Sequence, residues 1–163
     1  MAIKALIFDL GSVLLAIDWE KYREDTGQEV PIQNLWPIDY EKMNTELLQF
    51  LVNMRPLYKI AILSNGGLRE AMNRKFRLGE LVDLMVFDGE EGVSKPDSRI
   101  YQLTLMRLAV QAEEAVFIDD KVRNVDAAQQ LGIHSIHFKN TAQALAEIQT
   151  ILSSDRGRFV TNL

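Results

Sequence analysis

The sequence lacks cysteine, which excludes a disulfide framework, a thiolate metal site and a cysteine nucleophile. It also lacks an excess of positive charge, since 18 Lys and Arg residues stand against 23 Asp and Glu residues and the net charge is −5. The basic residues are scattered among acidic ones, whereas a nucleic-acid interface needs clustered Lys and Arg. We therefore expect no nucleic-acid partner.

The apolar segment at the start of the sequence is short. Residues 1–8 are too few for a signal peptide or a membrane span, and they lead directly into a predicted strand. The 163 residues, of which 47% are hydrophobic and 25% charged, have the balance of one globular domain. We expect a single domain over residues 1–163 that is soluble, cytoplasmic and without a membrane partner.

Short apolar runs alternate with amphipathic stretches along most of the chain. The runs, rich in β-branched and aromatic residues, predict strands at 5–8, 59–63, 84–87, 115–118 and 135–138. The amphipathic stretches predict helices at 45–54, 68–77, 97–109, 122–131 and 141–152, the last of them capped by Thr141. This alternation indicates an α/β fold with a parallel sheet covered on both faces.

Two segments fall outside the alternation. Residues 16–42 look like an insertion after the first strand, and residues 153–163 look like a polar C-terminal tail or edge extension. The insertion carries four aromatic residues, Trp19, Tyr22, Trp36 and Tyr40. They are candidates for a surface that faces a substrate or a second subunit, or they pack the insertion onto the core.

Polar side chains follow four of the predicted strands, where each strand ends or shortly after it. Asp9 follows the first, Ser64 the second, Lys95 comes after the third, and Asp119 and Asp120 follow the fourth. Singly, each is typical of a turn or a helix cap. Because parallel strands bring all four ends to one edge of the sheet, the ordered set indicates a catalytic site.

This set of residues suits phosphoryl transfer. A carboxylate such as Asp9 can attack phosphorus and form an aspartyl phosphate. Lys95 and the Ser64 hydroxyl can hold the phosphate, together with the backbone N–H groups of Asn65 and Gly66 in an anion-binding turn.

Mg²⁺ is the metal that the oxygen ligands of this set favour, with Asp9 and Asp120 as the carboxylates. Zinc is not expected, because the two histidines, His134 and His137, lie in or beside the fifth strand without other zinc ligands nearby. We interpret both histidines as structural or surface residues.

The ordered segments resemble the haloacid dehalogenase (HAD) superfamily of hydrolases across nearly the whole chain. The matching segments are Phe-Asp-Leu-Gly-Ser-Val at 8–13, Leu-Ser-Asn-Gly at 63–66, Lys-Pro at 95–96 and Phe-Ile-Asp-Asp at 117–120, with Asn124 following. The resemblance implies a three-layer, Rossmann-like core with strand order 5-4-1-2-3. It also implies roles for seven residues: Asp9 as the nucleophile; Ser64 and Lys95 at the phosphate; Asp9, the Gly11 carbonyl and Asp120 on Mg²⁺; and Asp119 and Asn124 as supports.

Two departures from the family pattern bear on function. Gly11 stands where phosphatases of this superfamily commonly have an Asp that protonates the leaving group, which predicts a preference for good leaving groups such as sugar 1-phosphates, acyl phosphates or aryl phosphates. The 16–42 insertion is a strongly reduced cap, which predicts an open site that admits a small or a larger phosphorylated substrate, or a site closed by a second subunit. The sequence is compatible with either a monomer or a homodimer.

Three functional hypotheses follow from the residues and the resemblance. The first is a magnesium-dependent phosphatase or phosphotransferase that acts through Asp9. The second is a catalytically weak or inactive binding or regulatory protein on the same fold, which Gly11 and the small cap favour. The third is a 2-haloacid dehalogenase, which also uses an Asp nucleophile but needs no metal, so that the Asp119-Asp120 pair argues against it.

Overall fold

The computed structural model describes residues 2–29, 37–67 and 69–157. The strands within them, in chain order, are β1 (Ala5–Phe8), β2 (Leu15–Ile17), β3 (Glu41–Met43), β4 (Lys59–Ser64), β5 (Leu84–Phe87), β6 (Ala115–Asp119) and β7 (His134–His137). The helices are α1 (Trp19–Thr26), α2 (Thr45–Met54), α3 (Arg69–Phe76), α4 (Leu78–Leu81), α5 (Asp88–Glu91), α6 (Ser98–Leu108), α7 (Val122–Gln130) and α8 (Thr141–Gly157). Two short 3₁₀ helices lie at Ile38–Tyr40 and Ala112–Glu114.

Five strands form one parallel sheet in the order β5-β4-β1-β6-β7. The fold class is confirmed. The labels differ from the predicted order 5-4-1-2-3 because β2 and β3 precede β4 in the chain; counted within this sheet alone, the neighbours are the predicted ones. The central strand β1 pairs with β4 on one side and β6 on the other, with Phe8 opposite both Ile62 and Ile118.

The sheet separates two apolar cores, because successive strand side chains point to opposite faces. Leu6 and Phe8 face a core that includes residues of α2, α3 and α8. Ala5 and Ile7 face a second core that includes residues of α6 and α7. Every residue of β1 is buried, which explains its continuous apolar sequence and gives the three-layer architecture.

Some differences from the sequence-based expectation lie at helix ends. Asn140, not Thr141, caps α8, since its Oδ1 accepts a hydrogen bond from the Gln143 N–H at 2.9 Å. The helix continues to Gly157, so the prediction of a polar tail from Ser153 was wrong for 153–157; residues 158–163 lie outside the described part of the chain. The short helices α4 and α5 were not predicted, because four residues are too few to show a helical period.

The 16–42 insertion begins and ends on a small antiparallel sheet. Strands β2 and β3 pair with Leu15 opposite Met43 and Ile17 opposite Glu41. The Asp18 N–H donates to the Tyr40 carbonyl at 2.8 Å, which holds the two ends of the intervening segment together. Gly11, just after β1, forms a β-bridge with Leu15 and so links this small sheet to the strand end.

The aromatic residues of the insertion pack on one another. Tyr22 is buried and makes edge-to-face contacts with Trp19 at 5.7 Å and with Tyr40 at 5.1 Å between ring centroids. Trp19 remains 39% exposed, and Trp36 lies outside the described residues. The contacts of Tyr22 fit the packing interpretation of these side chains.

None of the helices in the described residues is long and apolar enough to cross a membrane. The longest, α8, runs over Thr141–Gly157 and lies against α2 and β7.

Asn44 anchors the end of the insertion to the core. Its Oδ1 accepts from the Leu47 N–H at 3.2 Å and so caps α2. Its Nδ2 donates to the Val13 carbonyl at 3.3 Å and to the Thr141 hydroxyl at 2.8 Å. One side chain therefore joins the loop after β1, the start of α2 and the start of α8.

Replacing Asn44 by Ala should lower the free energy of unfolding by about 2–3 kcal/mol, since it removes a helix cap and two further hydrogen bonds. Asn44→Asp keeps the cap but loses the donor group, so it should recover about 1 kcal/mol of that loss. Asn53→Ala, at an exposed position on the same helix, is the control and should change stability by less than about 0.5 kcal/mol. Urea unfolding measures all three; equal effects of Asn44→Ala and Asn53→Ala would contradict the anchoring role.

Candidate active site

Lys95 lies between two carboxylates at the carboxyl ends of the central strands. Its Nζ donates to Asp9 Oδ1 at 2.8 Å, to Asp119 Oδ2 at 2.6 Å and to the Leu63 carbonyl at 2.8 Å. Lys95 is only 2% exposed, and both acids are buried. Asp9 follows β1 and Asp119 ends β6, so the parallel pairing of these strands brings their carboxylates to the same side chain. The structure thus brings together three of the residues that the sequence singled out.

Asn65 fixes the backbone of Lys95. Its Nδ2 donates to the Lys95 carbonyl at 2.7 Å, and its Oδ1 accepts from the Lys95 N–H at 2.8 Å. The Gly66 N–H donates to Asp88 Oδ1 at 2.8 Å instead of being left for an anion. The anion-binding turn expected from Asn65-Gly66 is therefore not formed through the Gly66 N–H. Ser64 is buried beside them and its hydroxyl donates to the Gly66 carbonyl at 3.3 Å.

Both oxygens of Asp119 are already engaged. In addition to Lys95, they accept from Asn124 Nδ2 at 3.0 Å each, and Oδ1 accepts from the Lys121 N–H at 2.8 Å. Asp119 is fully buried and joins Lys95 to the start of α7. Asp119 and Asn124 thus hold Lys95 and the start of α7 together through hydrogen bonds.

Asp120 differs from its neighbour because Oδ1 is buried and has no hydrogen-bond partner among the described residues. The Asn124 Oδ1 is in the same situation. His137 Nε2 lies 3.0 Å from the main-chain oxygen of Asp120, so this histidine contacts the loop that carries the carboxylate. No pattern in the sequence indicates that contact, because it depends on the pairing of β6 with β7.

The acidic residues fit a divalent cation. Asp9, Asp119 and Asp120 each offer an oxygen, and these oxygens lie within 4.8 Å of one another. Buried polar atoms are almost always hydrogen-bonded, which makes the unpartnered Asp120 Oδ1 a candidate metal ligand. Hard oxygen donors of this kind suit Mg²⁺.

Burial raises the pKa of Asp9 from 3.8 to about 6, even though the charge of Lys95 opposes the shift, and the nearby Asp119 carboxylate adds to it. Lys95 supplies one positive charge for two buried carboxylates. Asp9 is therefore ionised in most molecules at pH 7 to 8, the form in which a carboxylate can attack as a nucleophile.

A cleft of about 430 Å³ opens above these residues. Its lining includes Asp9, Gly11, Ser64, Asn65, Lys95, Asp120 and Asn124, together with Leu15, Glu41 and Met72. Of the aromatic residues that the structure describes in the insertion, none lines this cleft. Beside Gly11 the space is open, because a Cβ atom built there would meet no atom within 4 Å.

The pKa of Asp9 predicts how stability depends on pH in the presence of a chelator. Between its ordinary value of 3.8 and the folded value of about 6, the folded protein holds more protons than the unfolded chain, so stability falls as pH rises through this window. Asp9→Asn removes the buried charge and should stabilise the protein at pH 8 by up to about 3 kcal/mol, with the difference vanishing near pH 4.

Urea unfolding of both proteins at pH 4 to 8 measures this difference. Asp126→Asn, at an exposed position of α7, is the control and should differ little from the wild type at any of these pH values. A stability difference for Asp9→Asn that does not change with pH would contradict the burial of its charge.

Comparisons with known proteins bear on the family of the chain. A family model of haloacid dehalogenase-like hydrolases matches residues 34–132, more than half of the chain and a range that contains Ser64, Lys95 and Asp120. The phosphorylated carbohydrates phosphatase of Thermotoga maritima is 37% identical over 108 residues, which are 63% of this chain and 49% of that protein. Acyl-CoA dehydrogenase family member 10 of Mus musculus is 43% identical over 70 residues, which are 43% of this chain and 6% of the mouse protein.

The chain thus spans about half or less of the length of these two curated relatives. A HAD family enzyme from Bacteroides thetaiotaomicron, crystallised with magnesium and inorganic phosphate, shares the fold with a TM-score of 0.66 at 22% identity. That match covers 85% of this chain and 95% of the crystallised chain. The family model, together with the strand order and the convergence of the motif residues, confirms the resemblance: the chain belongs to the family of haloacid dehalogenase-like hydrolases.

Proposed function

We propose that the protein is a magnesium-dependent phosphomonoesterase that acts through an aspartyl phosphate on Asp9. The observation that carries the proposal is Lys95, held by Asp9 and Asp119 at 2.8 and 2.6 Å beside the unpartnered oxygen of Asp120. The names of the Thermotoga maritima phosphatase and of the magnesium and phosphate complex from Bacteroides thetaiotaomicron support it.

In the first step a carboxylate oxygen of Asp9 bonds to phosphorus while the bond from phosphorus to the leaving-group oxygen breaks. The leaving oxygen keeps the electron pair and takes a proton from solvent. In the second step a water oxygen bonds to phosphorus, the bond from phosphorus to Asp9 breaks, and the water proton passes to solvent. The products are inorganic phosphate, the alcohol and the regenerated carboxylate.

Lys95 and Ser64 are the phosphate ligands in this proposal, and both line the cleft beside Asp9. Lys95 also lowers the repulsion between the Asp9 carboxylate and an anionic substrate. Asp9, Asp120 and the Gly11 carbonyl would hold Mg²⁺, which supplies charge stabilisation to the transferring phosphoryl group. Asp119 and Asn124 position Lys95 and the Asp120 loop through hydrogen bonds of 2.6 to 3.0 Å.

Gly11 sets the preferred substrates. It offers no side chain to protonate the leaving oxygen, a contribution that is typically worth about 10² to 10⁴ in rate. Substrates whose leaving groups need little protonation, such as sugar 1-phosphates, acyl phosphates and aryl phosphates, are therefore favoured. The small insertion leaves the cleft open to larger phosphorylated molecules as well, with the chain acting as a monomer or a homodimer.

A binding or regulatory role without turnover is the second hypothesis, favoured by the missing acid at Gly11. A 2-haloacid dehalogenase is disfavoured, because the unpartnered Asp120 oxygen fits a cation that such an enzyme does not need. Three measurements distinguish these hypotheses. Phosphate release indicates a phosphatase, chloride release from a haloacid without metal indicates a dehalogenase, and ligand binding without turnover indicates a binding or regulatory protein.

Asp9→Asn should reduce phosphate release from p-nitrophenyl phosphate by at least about 10³-fold, since it removes the nucleophile. Chelation of Mg²⁺ should abolish the activity of the wild type, and added Mg²⁺ should restore it. Asp126→Asn, outside the cleft, is the control and should retain full activity. Activity in Asp9→Asn, or activity without metal, would contradict the mechanism; no activity with any phosphate ester would favour the binding role.

Gly11→Asp should introduce the missing general acid, because the structure leaves room for its side chain. We expect kcat for alkyl phosphates, whose leaving groups are poor, to rise by about 10²-fold, with little change for p-nitrophenyl phosphate. Gly11→Asn has the same size but transfers no proton, and should give no such gain. Equal wild-type rates across leaving groups of different basicity would contradict the role assigned to Gly11.

A further inference from the structure

Glu41 is an acidic residue of the cleft that is not part of the cluster formed by Asp9, Asp119 and Asp120. It is the first residue of β3 and lines the cleft, and its side chain is only 6% exposed. Strand residues alternate between faces, so Glu41 shares the inward side with Met43, which packs on the core, whereas Lys42 between them is exposed. The strand therefore turns a charged group inward at a position where an apolar residue would pack.

A shielded carboxylate needs compensation for the hydration that it loses. Lys75 of α3 provides a charge, with its Nζ 3.4 Å from Glu41 Oε2. Lys75 itself is about one third exposed at its side chain, so the pair lies where the cleft meets solvent. The ion pair thus holds the Glu41 side chain beside the space that a substrate would enter.

The surface of the cleft that contains Glu41 is partly apolar and partly polar. Leu15 and Met72 contribute apolar surface to the same cleft, and Ser64 and Lys95 mark the end at which the phosphoryl group would bind. An ionised carboxylate accepts hydrogen bonds and donates none. A sugar ring suits this surface, because its hydroxyl groups can donate hydrogen bonds to the carboxylate and its C–H bonds can pack on the apolar side chains. A group with a second anion would meet like charge at Glu41.

We propose that Glu41 is a specificity-determining residue that accepts hydrogen bonds from the leaving group and selects an uncharged, hydroxyl-rich leaving group over one that carries a second anionic group. The inference rests on the proposed phosphatase function and adds the class of leaving group. Glu41 takes no part in the transfer itself.

Glucose 1-phosphate and glucuronic acid 1-phosphate form a matched substrate pair, since they differ by one carboxylate on the same ring. Calorimetric titration of both into Asp9→Asn protein with Mg²⁺ measures recognition without turnover. We expect glucose 1-phosphate to bind at least about tenfold more tightly, and Glu41→Gln in the same background to reduce that ratio to about threefold or less. Glu20→Gln, an exposed position of α1 in the same insertion, is the control and should leave the ratio unchanged.

Equal binding of the two ligands, or a ratio that Glu41→Gln does not alter, would overturn the role of Glu41. Steady-state kinetics of the wild type and of Glu41→Gln add a second readout, in which the change in discrimination should appear in KM more than in kcat. Failure of the phosphatase proposal gives a different result: the wild type would release no phosphate from p-nitrophenyl phosphate, whatever the binding ratio.

Discussion

The whole arrangement depends on Lys95 and the two carboxylates that share its charge. The ammonium group bonds to Asp9, to Asp119 and to the Leu63 carbonyl, so it ties together the ends of β1, β4 and β6. Removing Lys95 would leave two buried carboxylates without a compensating charge, which typically costs about 3–5 kcal/mol. The grouping therefore holds the strand ends in place as well as supplying reactive groups.

The charge balance of this grouping explains its chemistry. Burial raises the pKa of Asp9 and the Asp119 carboxylate adds to the rise, while one positive charge against two negative ones favours an additional cation. A phosphate group would bring still more negative charge to the same place. Both oxygens of Asp119 accept hydrogen bonds, from Lys95, Asn124 and the Lys121 N–H. In contrast, Oδ1 of Asp120 has no hydrogen-bond partner among the described residues. Two adjacent acids of the same type thus have different hydrogen-bonding environments.

The sequence predicted elements whose patterns are local and missed contacts that depend on the folded chain. Strand β1 and helix α2 have the predicted bounds, since one is apolar throughout and the other starts after the Asn44 cap. The contact of Asn65 with Lys95 spans 30 residues, and no spacing in the sequence indicates it. The inward direction of Glu41 depends in the same way on the pairing of β3 with β2.

The candidate site residues could be selected from the sequence because their order along the chain is distinctive, although their individual contexts are not. The roles of Asn65 and His137 were missed because each acts through a main-chain group of a residue far away in sequence. Asn140 rather than Thr141 caps α8, a one-residue difference that propensity cannot resolve, since both residue types favour caps.

The hydrogen bond between the Asp18 N–H and the Tyr40 carbonyl means that the two ends of the insertion lie side by side. Chains tolerate grafted segments best where the two attachment points are close and the graft does not pull them apart. Asn44 secures the returning strand independently of what lies between those points. The junction therefore tolerates replacement of the segment between its two ends. A segment of a different length or fold can stand there, provided that it ends in adjacent strands, while the edge of the sheet that carries Asp9 and Lys95 stays as it is.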